Sequence, residues 1–153
     1  MTRFLERARL SARAKCAGLT QADAQRTPLP MSPAMSVAGI VSHLRWGEAF
    51  WIDVMFLGQP NRWPGSERDS ELQMRAGHAR LLSELLDEYA SQAVHTDEVL
   101  ASHGWDAKGA ARHDDTGEPI SLRYIVMHLI EETAHHNGHL DILRELADGV
   151  TGD

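Results

Sequence analysis

Between Ser36 and Gly58 the chain contains no proline, and Val37, Ile40, Val41, Leu44, Trp51 and Met55 recur at helical spacing. That periodicity predicts one amphipathic helix, capped by Ser36 and stopped at Gly58-Gln59-Pro60. A second strong pattern runs from Ala79 to Ser102, within a segment that begins near Ser70, with Leu82, Leu85, Leu86, Tyr89, Ala93 and Leu100 on one side. A third starts after Ser121, a candidate N-cap, and continues to about Ala147 before Asp148-Gly149. The stretch from Arg3 to Cys16 is shorter but rich in Ala, Leu and Arg, all good helix formers.

The connections read as loops. Gly18 and the prolines at 28, 30 and 33 interrupt the region after the first helix, where Thr20 is a candidate N-cap. "QPNRWPGSERDS" and "HGWDAKGAARHDDTGEP" have loop composition, with a turn signal at Asp115-Thr116-Gly117. No segment sustains the alternation of a strand. Four amphipathic helices with irregular links predict an all-α four-helix bundle, with residues 1–153 forming a single domain.

Placing the last helix at about 100° per residue puts Leu122, Ile125, Leu129, Leu140 and Leu143 on one stripe. Glu132 and His136 fall on the same stripe, where two more leucines would be expected. His128 and His139 sit at its margin, and His135 and Glu131 point towards solvent. An inward carboxylate needs a partner, because unpaired burial of charge is costly. Four residues apart, Glu132 and His136 reach a common point, to satisfy one another or to share a cation. On the second helix, His43 lies beside Ile40, Gly47, Phe50 and Val54 at the edge of the apolar surface. His43, Glu132 and His136 together would make a three-ligand divalent metal site with an open position, the catalytic pattern. A Glu–His ion pair at the bundle margin accounts for the same spacing without a metal.

The remaining candidates are read as structural. His78, His95, His103 and His113 fall in loops or on polar faces and are expected to be solvated. Trp46, Trp51, Trp63 and Trp105 are expected in the core or a pocket wall, and Cys16 as a small buried hydrophobe.

Composition narrows the partners. A formal charge of -7 lacks the basic clusters that a phosphate backbone requires, so no nucleic-acid partner is expected. The 42% hydrophobic fraction fits a folded globular chain, not a disordered one. No apolar run approaches the ~20 residues of a membrane span. The N-terminus is charged and resembles no signal segment, and Cys16 has no other cysteine to pair with. A cytoplasmic location without membrane association is expected.

"HLRWGEAFWIDVMFLGQP", followed much later by "SLRYIVMHLIEETAHHNGHLDILRELADG", resembles the DinB-like metalloprotein superfamily. Within it, the sequence is similar to the branch of mycothiol-dependent maleylpyruvate isomerases and small mycothiol S-transferases. The resemblance implies a divalent ion, zinc or nickel, on one His of the second helix and a Glu–His pair of the last. Those positions are His43, Glu132 and His136 here. The isomerases carry a further C-terminal domain that contributes to their active site, whereas this sequence ends soon after Gly149, so the resemblance favours S-transfer over isomerisation. It implies a low-molecular-weight thiol co-substrate, an electrophilic second substrate and a homodimer. His139, three residues from His136, is a candidate second-shell or proton-transfer group. A non-catalytic metal-binding or stress-response bundle is the alternative function.

Overall fold

The computed structural model describes residues 1–63 and 70–151; part of the loop expected around Trp63, residues 64–69, lies outside them. Six helices occur among the described residues: α1 (Thr2–Cys16), α2 (Gln21–Gln25), α3 (Val37–Ala49), α4 (Ser70–His78), α5 (Leu82–Ser102) and α6 (Leu122–Asp148). The four long ones, α1, α3, α5 and α6, form the expected bundle. Ser36 and Ser121 act as the expected caps, accepting from Gly39 N at 2.9 Å and Tyr124 N at 3.3 Å. Gly149, at φ 78°, ends α6 in the left-handed conformation.

Three local features depart from the sequence expectation. The helix from Ser36 does not stay α-helical to Gly58: it turns π-helical over Phe50–Phe56. Its apolar positions satisfy either winding, so the change leaves no mark on the pattern. The third helix is two helices, broken at 79–81. There Gln25 donates to His78 O at 2.6 Å and Gln21 donates to Arg80 O at 2.9 Å, while Leu82 N donates back to Gln21. The short helix α2 thus satisfies backbone groups that the break frees. The segment expected as a loop after Ser102 contains an antiparallel pair, β1 (Lys108–Arg112) and β2 (Pro119–Ser121), with Lys108 opposite Ser121 and Arg112 opposite Pro119. "KGAAR" has no β-branched or aromatic residue, so its strand comes from pairing and from packing on the π-helical segment, not from propensity.

The buried residues separate into two apolar clusters. One is built on Ala12, Val37, Ile40, Leu85 and Leu140, the other on Leu5, Ile52, Leu100, Ile125 and Leu129. Their order along each helix shows that α1 and α6 run parallel to one another and opposite to α3 and α5. Between the clusters lies a polar layer to which each long helix contributes. Arg9 comes from α1, Glu48 from α3, Thr96 from α5, and Thr133 and His136 from α6, all buried.

Close helix contact shapes this layer from one side. A Cβ on Gly77 of α4 would collide with the backbone of Ala38, and one on Gly39 of α3 would lie 2.9 Å from Ala34 O and 3.1 Å from Met74 O. Glycine at these two positions lets α4 lie directly on α3. Ser42 then donates to Gln73 O at 2.7 Å, fixing the register of the two helices.

Candidate metal centre

The buried stripe of α6 runs Leu122, Ile125, Leu129, Thr133, His136, Leu140, Leu143. His136 takes its place in that stripe, as expected. Glu132 does not: Thr133 fills the second gap, and Glu132 stands one step aside with 37% of its side chain exposed. It opens onto a cavity of about 180 Å³ bordered also by His43, Gly47, Glu48 and Trp51.

His43 and Glu132 both line it, and the buried His136 meets them at Glu132. Glu132 Oε1 lies 3.1 Å from His43 Nε2 and 3.3 Å from His136 Nε2. One ligand atom from each of the three fits within 4.8 Å of the others. For a tetrahedral ion with bonds of 2.0–2.2 Å, donor atoms stand about 3.3–3.6 Å apart, which the 3.3 Å Glu132–His136 separation meets and the 3.1 Å Glu132–His43 separation approaches.

The outer nitrogens also suit that purpose. His43 Nδ1 is 2.9 Å from Gln73 Oε1, and Gln73 is buried. An amide oxygen only accepts, so Nδ1 carries a proton and a neutral His43 turns its Nε2 lone pair towards Glu132. His136 Nδ1 is 3.3 Å from His139 Nδ1, so one of these two rings donates to the other. With His136 as the donor, its Nε2 lone pair faces the same centre. Two imidazole lone pairs and a carboxylate oxygen then converge, an arrangement that needs protons or a cation between them. Without a cation, hydrogen bonds from His136 and then His43 hold the Glu132 carboxyl well below the usual carboxylate range, against the opposing effect of burial. The donor set, two imidazole nitrogens and a carboxylate oxygen, suits a divalent ion, which would take the place of those protons.

Of the histidines expected to be solvated, His103 is exposed and His95 is 39% exposed, yet all four have partners. His78 donates to Ala34 O at 3.0 Å and His103 to Val99 O at 2.9 Å, while His95 holds Asp53 Oδ1 at 2.8 Å. His113 packs edge-on to Tyr124. Each thus holds a partner from the fold, a contact the sequence pattern does not show. His135 is exposed, as expected, and so is Glu131. His139 lies next to the triad, where burial first and then the neighbouring imidazoles His136 and His135 hold it below the ordinary histidine value.

Two residues of the site carry no sequence signal. Gln73 belongs to a short helix whose contact with α3 the pattern does not encode. Glu48 borders the cavity from inside the polar layer, with Arg9 donating to its two oxygens at 2.5 and 3.1 Å and also to Asp97 at 2.9 Å. Trp51 borders the cavity too, and its ring packs 4.2 Å from that of His128.

The sequence pattern of the mycothiol S-transferase family matches residues 1–149. The chain belongs to the mycothiol S-transferase family. A crystal structure of a conserved protein from Enterococcus faecalis, 17% identical, superposes with a TM-score of 0.78 over 97% of this chain and 95% of that one. That likeness shows the fold, the DinB-like helical bundle. No curated protein matches the chain. No helix among the described residues is long and apolar enough to cross a membrane.

Proposed function

We propose that this member of the mycothiol S-transferase family transfers a low-molecular-weight thiol, mycothiol or a close analogue, to an electrophilic carbon, using a divalent metal. His43, Glu132 and His136 would hold the ion, zinc or nickel. The observation that carries this reading is the convergence of three side chains of metal-ligating type, two of which line an open cavity, with both histidines braced from behind. Such an ion supplies a Lewis acid that lowers the pKa of a thiol and makes a thiolate available at neutral pH.

The chain itself then has positioning work to do. Gln73 and His139 fix the ring orientation of the two histidines, the role of the outer partners of metal ligands. The apolar side of the cavity, Leu44, Phe50, Trp51 and Leu129, keeps water away from the electrophile. The thiol proton leaves to solvent, sulfur forms the new bond to carbon, and the electrophile's leaving group departs with the displaced electron pair. No side chain has to act as the nucleophile, and Cys16, buried in the apolar cluster, is not available as one.

The test is adduct formation. Zinc-loaded protein is incubated with mycothiol, other low-molecular-weight thiols and an alkylating electrophile. An adduct that is lost in Glu132→Ala and His136→Ala is expected. Metal-dependent adduct absent across the whole panel would sink the transferase reading and leave a metal-binding bundle without turnover.

A further inference from the structure

Gly47 lies one helical turn beyond His43 and one turn before Trp51, and all three border the cavity. Glycine inside a helix is less stable there than alanine, so it needs a reason. The backbone gives none, since Gly47 is not among the glycines with positive φ. Packing gives none either: a Cβ on Gly47 meets no atom within 4 Å, unlike those on Gly39 and Gly77. Gly138 of α6 is equally unobstructed, but it is exposed on the outer surface. The space in front of Gly47 is the cavity itself.

That space has a definite size and chemistry. The whole cavity, its His43 and Glu132 lining included, measures about 180 Å³, and an apolar protein cavity of about 150 Å³ takes one benzene. Leu44, Phe50, Trp51 and Leu129 are the cavity's apolar lining, and Phe50 stands edge-on to Trp51 with centroids 6.1 Å apart. Trp51 is backed in turn by His128, which limits the positions its indole can adopt. A hydroxyl-rich group placed against this wall would lose hydrogen bonds without replacement.

We propose that this part of the cavity is a subsite for a single apolar ring. The ring lies on the bare backbone of Gly47 and against Phe50 and Trp51. Assigning the ring to the electrophilic substrate rests on the transferase reading; it makes that substrate a compound bearing a benzyl- or phenyl-sized group next to its reactive carbon. The existence of the subsite does not rest on that reading. Gly47 is then a specificity-determining position, because any side chain there occupies the ring's place.

The test uses metal-free protein, so that turnover does not enter the readout. Benzyl alcohol is titrated while the backbone amide of Gly47 and the indole of Trp51 are followed by NMR. Saturable shifts at both are expected. Gly47→Ala should weaken binding by about threefold and Gly47→Leu by at least about tenfold, which corresponds to a loss of about 1.4 kcal/mol. Gly138→Leu, with the same change in helix propensity at an exposed site, should leave binding unchanged. If Gly47→Leu does not fold, the alanine variant decides, since its methyl has room. Absence of saturable shifts at Gly47, or wild-type affinity in the folded Gly47 variants, would overturn the subsite. Ring binding without any thiol transfer would leave the subsite standing and remove only its assignment to an electrophile.

Discussion

Replacing Glu48 by leucine tests whether the polar layer is held by charge pairing. Arg9 is 9% exposed and Glu48 is 2% exposed, so Glu48→Leu strands a guanidinium between two apolar clusters. Breaking a buried pair by removing one partner costs about 3–5 kcal/mol. Asp97 still accepts from Arg9 at 2.9 Å, but its side chain is 58% exposed, so it offsets only part of the loss. A cost near the lower end, about 3 kcal/mol, corresponds to a melting temperature lower by about 6–12 °C for a chain of this size. The double change Arg9→Met with Glu48→Leu removes both charges and keeps the volume, and should return to within about 1 kcal/mol of wild type. Thermal and urea unfolding of the metal-free proteins, followed by circular dichroism, measures both. A single variant as stable as wild type would show that the pair contributes nothing. A double variant as unstable as the single one would show that shape, not charge, sets the cost. Metal content should not change in either, because Glu48 is not a ligand in this account.

Gln73→Leu removes the acceptor behind His43 and should weaken zinc affinity by about 10–100-fold in chelator competition, with the fold kept. Gly77→Ala forces α4 away from α3; it should destabilise the protein by about 1–3 kcal/mol in urea unfolding and weaken zinc binding as well, because Gln73 moves with the helix. Burial pushes the Cys16 thiol up to about 12, with Arg144 pulling weakly the other way. Native protein should therefore resist a disulfide reagent at pH 8 and react fully once unfolded. Because folding favours the neutral thiol, its contribution to stability is complete below the unfolded value of about 8.5 and is lost as pH rises towards 12. Melting temperature should accordingly fall less steeply between pH 8.5 and 10.5 in Cys16→Ala than in wild type.

The parts of the fold that the sequence made legible are those with local causes. Ser36 and Ser121 are caps because their hydroxyls reach nearby backbone N–H groups, and the α6 stripe follows from period alone. His136 was readable for the same reason, as a polar residue in a leucine position. The rest depends on partners distant along the chain. The break at 79–81 is stabilised by Gln21 and Gln25, roughly sixty residues earlier, and nothing in "HARL" announces it. The β-pair arises where "KGAAR" meets β2 and the π-helical segment. Gln73 and Glu48 read as ordinary helix-surface residues until α4 docks on α3 and Arg9 arrives from α1. The helical period alone puts Glu132 one position too far inward, because a stripe cannot separate a core position from the lip of a cavity.

The proposed function depends on His43, Glu132 and His136 holding a divalent ion. Elemental analysis of purified, untagged protein, beside a His136→Ala variant prepared identically, tests it most directly. Zinc or nickel near one equivalent per chain is expected in wild type, with most of it lost in the variant. Wild-type protein that carries no metal, and takes up none when zinc or nickel is added, would reduce the triad to a hydrogen-bonded Glu–His cluster and rule out the metal site.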